Sequence, residues 1–459
     1  MSLKYEKKDV FTKLNDKEIL EVNRYISCYL DFLNKCKTEY LCVEEVTDML
    51  NKSGFCDISK KEKLVPGDKV YFINKEKSIY AAVIGSLGIN EGTNIIGAHI
   101  DSPRLDLKPM PLCERDGFAL LKTQYYGGIK KYQWLSIPLA LYGVVYDEKG
   151  NKIKISIGEE YDDTCFTIAD LLPHLAKDQL KQNASEFIDA EKMLAIIASN
   201  KLESKKTTPV KEMALKILNE KYGIKEIDFA RSELSFVPAF KAKYVGIDKS
   251  MVGGYGQDDR VCAYATIKAL LDIDSKNIKK TAIAMIVDKE EIGSIGNTSM
   301  NSQIFDMFIT KLIEKSKVNN TNLLEVYYNS KMLSADVSTC VDPNYDEVSD
   351  IQNGNMIGCG VALEKYTGSG GKYSSSDANA NYISYIMSLF DKNEVSYQLG
   401  TLGKIGKGGG GTIAYILANK GVDVIDCGTP IIAMHSPFEV ANIYDIYMTY
   451  LAYKTMFNS

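Results

Sequence analysis

The stretch that decides the fold is residues 94–109, NIIGAHIDSPRLDLKP. The apolar run at 94–96 predicts a buried strand, and His99 and Asp101 follow where that strand ends. Alternate residues of a strand point to the same side, so this imidazole and this carboxylate are predicted to lie together. A metal-bound histidine usually donates its second ring N–H to an oxygen acceptor. The pair therefore supplies a candidate metal ligand and its orienting group, although a single histidine at a strand end is more often structural.

Other candidate ligands occupy the same kind of position. The chain has only 3 histidines, and two of them, His99 and His435, lie in ligand-like settings. Acidic residues follow further apolar runs: the pair Asp258 and Asp259 in GYGQDDR, Glu290 and Glu291 after residues 281–287, and Asp336 after residues 332–335. Because ligands of open α/β sheets bind outside the carboxyl ends of the strands, five such ends are predicted to converge on one crevice.

Composition limits the class of protein. The 459 residues are 45% hydrophobic and 25% charged, which predicts a soluble globular chain of two domains or one large one. A net charge of −5 argues against a nucleic-acid surface. The 10 cysteines form no C-x-x-C pair, so zinc-ribbon and thioredoxin motifs are excluded and a reducing cytoplasm is favoured. The amino-terminal residues MSLKYEKKDV lack the apolar core of a signal peptide, and no apolar run predicts a membrane span.

Hydrophobic periodicity predicts an α/β fold with a mostly parallel sheet flanked by helices. Helices are predicted over 17–35, 39–50, 260–271, 304–315, 377–390, 412–419 and 440–456, and strands over 70–73, 79–86, 281–287 and 422–425. Between these parts the sequence pattern changes. Strands are predicted over 139–146 and 152–157, and residues 177–235 are polar and predicted to be helical or loop-like. The predicted domains are therefore 1–104 and 247–459, two parts of one main domain, with an inserted β-rich domain at 105–246.

The candidate residues suit a hydrolytic centre with two divalent metal ions, which needs a bridging carboxylate, further N and O ligands and a base. Such ligands suit zinc, manganese or cobalt. The adjacent Glu290 and Glu291 can divide the work, one on the metal and the other near the attacking water. Any single acidic pair is more often a solvated turn, but the full set of sites makes that interpretation weaker.

The ordered motifs resemble the aspartyl aminopeptidase / vacuolar aminopeptidase I family of dinuclear metallopeptidases. The motifs that carry the resemblance are GAHIDSPRLDLKP, YGQDDR, DKEEIGS, SADVS, GSGGKYSSSDANA and MHSPFE. The resemblance implies a parallel α/β peptidase domain, an inserted β-rich domain that mediates dimerisation or oligomerisation, and a tetrahedral dodecamer. It also implies two divalent metal ions per subunit, zinc first, with cobalt or manganese as alternatives.

The resemblance implies a role for each matching position. The metal ligands are His99 and Asp336 on one ion, Glu291 and His435 on the other, and Asp258 bridging both. Glu290 is implied as the general base, and Asp101 as the group that orients His99. His174 resembles a histidine that reaches a neighbouring subunit's active site in aspartyl aminopeptidases, with a surface or packing histidine as the alternative.

The predicted function is metal-dependent removal of the N-terminal residue from peptides. A cationic Lys372 near the pocket would favour Asp or Glu at that position, or would simply be solvated. One alternative is a related metallo-amidohydrolase, such as a deacylase or carboxypeptidase, and another is a catalytically inactive oligomeric shell protein. Nucleotide binding by the sequence GKGGGG at 406–411 is a weaker alternative, because the phosphate-loop order is missing.

Overall fold

A computed structural model of the chain describes residues 3–159, 164–202, 207–318 and 321–459. The helices in these ranges are α1 (Asp16–Lys35), α2 (Glu39–Lys52), α3 (Pro209–Tyr222), α4 (Gln257–Leu271), α5 (Ile304–Ser316), α6 (Leu323–Tyr328), α7 (Ala380–Lys392), α8 (Ala414–Ala418) and α9 (Ile443–Phe457). No helix within these ranges has the length and apolar character that crossing a membrane requires.

The strands of the amino-terminal half are β1 (Cys56–Asp57), β2 (Lys69–Asn74), β3 (Ser78–Val83), β4 (Thr93–His99), β5 (Arg104–Arg115), β6 (Phe118–Tyr126), β7 (Leu139–Tyr146), β8 (Lys152–Ile157), β9 (Leu194–Ala198) and β10 (Ser232–Pro238). Those of the remainder are β11 (Lys243–Val245), β12 (Met251–Gly254), β13 (Thr281–Val287), β14 (Lys331–Ser334), β15 (Ser338–Thr339), β16 (Val361–Glu364), β17 (Gly368–Ser369), β18 (Tyr397–Gly400), β19 (Gly409–Gly410), β20 (Asp423–Gly428), β21 (Pro430–Ile432) and β22 (Glu439–Asn442).

The chain forms two compact units. The first contains Met1–Asp101, Ala242–Met434 and Phe438–Ser459, and the second contains Ser102–Lys241 and His435–Pro437. The first unit is built on a nine-stranded sheet in the order β1-β2-β3-β13-β4-β14-β20-β16-β18. Its central strands β13, β4, β14 and β20 are parallel to one another. The predicted fold class, a mostly parallel sheet flanked by helices, is confirmed.

Strand β4 lies in the middle of this sheet and is buried along its whole length. Its side chains alternate between two cores: Ile96 and Ala98 contribute to one, and Ile95 contributes to the other. A strand covered on both faces reads as a continuous apolar run, which is why residues 94–96 predict it. His99 is the last residue of this strand and therefore lies at the carboxyl edge of the sheet.

Helix α1 forms part of one core because its sequence defines both its start and its buried face. The Asn15 side chain accepts hydrogen bonds from the backbone N–H groups of Lys17 and Glu18, and the Glu18 carboxylate accepts one from the Asn15 N–H. This reciprocal cap satisfies donors that a helix amino terminus leaves unpaired. Buried Val22, Ile26, Tyr29 and Leu33 then recur at three- and four-residue spacing along one face.

The second unit contains a six-stranded antiparallel sheet in the order β8-β7-β10-β5-β6-β9, together with helix α3. Strands β7 and β8 have the predicted bounds. Strand β9 and the first residues of β10, however, fall in a stretch predicted to be helical or loop-like. The prediction was wrong for these residues. They form two short apolar runs within a mostly polar stretch, and they become strands because they pair with strands far away in sequence.

Two helices begin three residues later than predicted. The helix predicted over 377–390 begins at Ala380, and Asp377 lies outside it, with ion pairs to Lys372 at 2.8 Å and Lys365 at 3.8 Å. The last helix begins at Ile443 rather than Val440, because residues 439–442 form β22, which pairs with β12 and β21 in a separate five-stranded sheet. Pairing with remote strands decides this second boundary.

Candidate metal centre

His99 is buried at the end of β4, and its two ring nitrogens have different surroundings. The Nδ1 atom lies 3.0 Å from the carbonyl oxygen of Asp101 and 3.4 Å from Oδ1 of the same residue. The Nε2 atom lies 3.3 Å from Asp258 Oδ1 and 3.6 Å from Asp336 Oδ1. A proton on Nδ1 directed at Asp101 leaves Nε2 facing the carboxylates, which is the arrangement of a metal-binding histidine.

The two adjacent glutamates lie on a single tight turn after β13. Glu290–Ile292 form a turn of 3₁₀ helix, flanked by Lys289 and Gly293, both in left-handed backbone conformations. The Asp101 carboxylate accepts the backbone N–H of Glu290 at Oδ1 and that of Glu291 at Oδ2, both at 3.1 Å. One buried aspartate thus fixes the turn that carries both glutamates.

Among the residues that the structure describes, two sets of side chains have ligand atoms close enough to hold a metal ion, and both include His99. One set is His99, Glu290 and Asp336, and the other is His99, Asp258 and Glu291, with the atoms of each set within 4.8 Å of one another. A nitrogen and several carboxylate oxygens are donors that suit zinc, manganese or cobalt. The donor set therefore fits a divalent metal ion, whose charge would offset the repulsion among these carboxylates.

The electrostatics of the cluster reflect its crowding and burial. Burial alone would lower the pKa of His99, but hydrogen bonds with neighbouring carboxylates, first that of Asp101, outweigh it and hold the pKa well above its usual value. Burial is also the main cause that raises the pKa of Glu290 to about 8; the charge of His99 opposes this shift, and Asp336 adds to it. Surrounded by protein groups alone, His99 and Glu290 therefore both tend to bind a proton.

Two residues without a predicted role hold the backbone of this cluster. Asp259 Oδ2 accepts the backbone N–H of His99 at 3.2 Å, and Glu439 Oε2 accepts the backbone N–H of Asp258 at 3.1 Å. Both are buried. In the sequence, Asp259 adjoins the predicted ligand Asp258, and Glu439 lies four residues after His435. Closeness in sequence does not distinguish a metal ligand from a backbone acceptor.

Three further predicted site residues, His435, His174 and Lys372, are members of neither ligand set. His435 belongs to the second unit, where its Nδ1 lies 2.9 Å from the carbonyl oxygen of Gly128. His174 also belongs to that unit and is exposed in the turn Pro173–Leu175. Lys372 is in the first unit, exposed, 2.8 Å from Asp377 and over the ring of Tyr366 at 4.1 Å. The roles of these three residues stay predictions.

The parallel α/β sheet and the cluster at its carboxyl edge define a class of protein, the metal-dependent hydrolases. Residues 32–457 match the family model described as aminopeptidase I zinc metalloprotease (M18). The chain belongs to this M18 family of zinc metalloaminopeptidases, and it is a peptide hydrolase of the metal-dependent kind. The family predicted from the motifs is thereby confirmed.

Relatives and solved structures agree over nearly the whole chain. A probable M18 family aminopeptidase 1 of Borrelia garinii is 44% identical over 98% of this chain and 99% of its own. One of Clostridium acetobutylicum is 44% identical over 99% of this chain and 98% of its own. The crystal structure of an M18 aminopeptidase from Thermotoga maritima matches with a TM-score of 0.95 at 41% identity, covering 99% of this chain and all of the other. These similarities do not favour a deacylase, a carboxypeptidase or an inactive shell.

Proposed function

We propose that the chain removes the N-terminal residue from peptides at a centre of two divalent metal ions, with zinc as the first candidate. The observation that carries the proposal is the cluster of His99 and four carboxylates, Asp258, Glu290, Glu291 and Asp336, whose ligand atoms are close enough to hold metal. The ligands proposed are His99 and Asp336 on one ion, Glu291 and His435 on the other, and Asp258 between them. The Nε2 distances from His99 to Asp258 and Asp336, 3.3 and 3.6 Å, support the first part of this assignment.

In this proposal Glu290 is the general base. Bound divalent ions would polarise the scissile carbonyl, lower the pKa of the attacking water and supply positive charge that favours an ionised Glu290. The Glu290 carboxylate would take the proton of the water at Oε2, which faces His99 at 4.0 Å, and pass it to the leaving amine. Asp101 would orient His99 and hold the turn of Glu290, as its hydrogen bonds indicate.

The preferred N-terminal residue depends on groups whose roles stay proposals. Lys372 would favour an acidic side chain, but Asp377 already pairs with its ammonium group at 2.8 Å. We therefore expect at most a moderate preference for Asp or Glu over Leu. A panel of aminoacyl-p-nitroanilides would measure that preference directly.

The assembly proposed is a homo-oligomer in which the inserted unit contacts other subunits. The turn that carries His174 also exposes Leu171, Leu172 and Leu175, by 45 to 68%. Apolar side chains exposed together often mark an interface. A solved S. cerevisiae mApe1 dodecamer shares this fold at 20% identity and a TM-score of 0.77. Native mass spectrometry of the wild type and of Leu175→Asp would test whether this chain forms twelve subunits and whether the turn takes part.

Location in the cytoplasm is also proposed. All ten cysteines are unpaired as thiols in the structure. Scattered free thiols of this kind are typical of a reducing compartment.

The decisive experiment is an assay of metal-loaded protein on that panel beside Glu290→Gln. We expect hydrolysis of substrates with a free amino group, no hydrolysis of N-acylated analogues, and a loss of 10² to 10⁴-fold in kcat for the variant. Bound metal, measured by mass spectrometry of the eluted ions, should be unchanged. Absence of hydrolysis by fully loaded wild type would contradict the proposal.

A further inference from the structure

Arg260 is a buried cation that the proposed chemistry does not use. It follows Asp258 and Asp259 directly and has no exposed surface. A buried charge is costly unless polar groups contact it. The groups that contact Arg260 therefore indicate what its burial serves.

The contacts of Arg260 join the metal centre to the amino-terminal helices. Its Nε–H donates to the carbonyl oxygen of Ile100 at 3.3 Å, and one terminal N–H donates to that of Lys37 at 3.2 Å. Ile100 is the residue between His99 and Asp101. Lys37 lies just past the end of α1, where helix carbonyl groups carry partial negative charge that favours a cation.

The Arg260 guanidinium also has an aromatic neighbour. Its guanidinium lies over the ring of Tyr255, 5.2 Å from the centroid. Burial acts to lower the pKa of Arg260, but Cys42 and Tyr255 outweigh burial and raise it. Neither of these neighbours is a candidate ligand, and the Arg260 side chain contacts the segment between His99 and Asp101 at the backbone carbonyl of Ile100.

Just past the end of β4, the N–H of Ile100 still donates to the carbonyl oxygen of Val287 at 3.0 Å, whereas its carbonyl group accepts from Arg260. Asp259 accepts the N–H of His99 on one side, and Arg260 donates to the carbonyl of Ile100 on the other. Two consecutive residues therefore hold the donor and the acceptor of the strand end, directly after the candidate ligand Asp258.

We propose that Arg260 is a positioning residue of the metal centre: by fixing the carbonyl of Ile100, it sets the direction of the two side chains on either side. The inference rests on the proposed metal centre. A guanidinium suits this role because its rigid fork donates to two carbonyl groups at once, which a lysine ammonium on a flexible stem cannot reproduce. Arg260→Lys should therefore recover only part of the wild-type behaviour.

The test compares wild type, Arg260→Met, Arg260→Lys and the control Val46→Ala, which removes a buried apolar side chain of α2 and none of the polar groups around Arg260. Zinc affinity is measured by competition with a chromophoric chelator, alongside Tm, kcat and KM. We expect zinc affinity to fall about 10- to 100-fold in Arg260→Met and less in Arg260→Lys, because lost support of ligands has costs of that size. kcat should fall while KM changes little. Val46→Ala should lower Tm without changing zinc affinity.

Wild-type zinc affinity and kcat in a folded Arg260 variant would overturn the proposal, as would an equal loss of zinc affinity in Val46→Ala. If Arg260→Met does not fold, Arg260→Lys decides, since it keeps the charge and most of the volume. If wild type binds zinc but hydrolyses no peptide, the proposed function fails, and the zinc affinities still decide the role of Arg260.

Discussion

The Oδ1 atom of Asp101 accepts the backbone N–H of Glu290 at 3.1 Å, across 189 residues of sequence. Its Oδ2 accepts the next N–H, that of Glu291, at the same distance. The aspartate predicted to orient His99 therefore also fixes the turn that carries the proposed base. Both oxygens of this buried carboxylate act as acceptors, which an amide cannot match.

Asp101→Asn should disturb the metal centre although it changes a single atom. The amide presents an N–H₂ group to one of the two backbone N–H groups, so the turn of Glu290 and Glu291 must shift. We expect zinc affinity or kcat to fall about 10- to 100-fold. Chelator competition and steady-state kinetics measure both. Asp106→Asn, which alters a carboxylate bound to Arg104 and Ser235, is the control and should leave zinc affinity unchanged.

Binding of metal should release protons at neutral pH. Carboxylates hold the pKa of His99 well above its usual value, despite the opposing effect of burial, so the metal-free centre carries a proton that a ligand nitrogen must lose. We expect release of at least one proton per site at pH 7 and an apparent zinc affinity that rises from pH 6 to pH 8. Calorimetry in two buffers of different ionisation enthalpy measures the release. His174→Gln should release as many protons as wild type, and equal heats in both buffers would contradict the prediction.

The parts of the fold predicted from sequence are those defined by local pattern. Strand β13 has its predicted bounds, Thr281–Val287, because a strand buried on both faces is a continuous apolar run. Helix α5 begins at the predicted Ile304, because its apolar residues recur at helical spacing. The structure also brings His99, Asp258 and Asp336 together. His99 is the last residue of β4, and the two aspartates come shortly after β12 and β14.

The parts that could not be predicted depend on residues far apart in sequence. Strand β22 pairs with β12 almost 190 residues earlier, and no local signal separates its four residues from the helix that follows. Asp377 lies outside its predicted helix, with a left-handed φ of 41° and ion pairs to Lys365 and Lys372. Asp259 and Glu439 act as backbone acceptors, and only the folded chain shows which N–H groups lie beside them.

Asp445 should make stability depend on pH. Its carboxylate accepts the backbone N–H groups of Gly358 and Gly360 at 2.8 and 2.6 Å, and burial, which outweighs these bonds, raises its pKa to about 8. The unfolded chain, with an aspartate pKa of about 3.9, releases a proton that the folded chain keeps. This contribution to stability therefore falls as pH rises from about 4 to 8 and is constant above that.

The Asp445→Asn variant isolates this effect because asparagine does not titrate. It should be less stable than wild type at pH 5, since one of the two N–H groups loses its acceptor. The difference in Tm between the two proteins should narrow steadily up to pH 8. Thermal unfolding of both at pH 5 to 9 tests this, and a difference that widens with pH would contradict it.

Gly428→Ala should displace Asp336 by steric overlap alone. A Cβ atom at Gly428 would lie 1.7 Å from the carbonyl oxygen of Asp336 and 2.6 Å from its carbonyl carbon. These are backbone atoms, so strand β20 and the segment after β14 must move apart, and the carboxylate moves with them. We expect a loss of stability of about 1–3 kcal/mol, as overpacking causes, together with weaker zinc binding.

Gly371→Ala is the matched control for this substitution. A Cβ atom at Gly371 would meet nothing within 4 Å, and its φ is not in the left-handed range. The control should therefore differ from wild type by less than about 0.5 kcal/mol in unfolding free energy. If Gly428→Ala loses stability but keeps wild-type zinc affinity, the position of Asp336 does not limit metal binding, and its proposed place among the ligands would have to be given up.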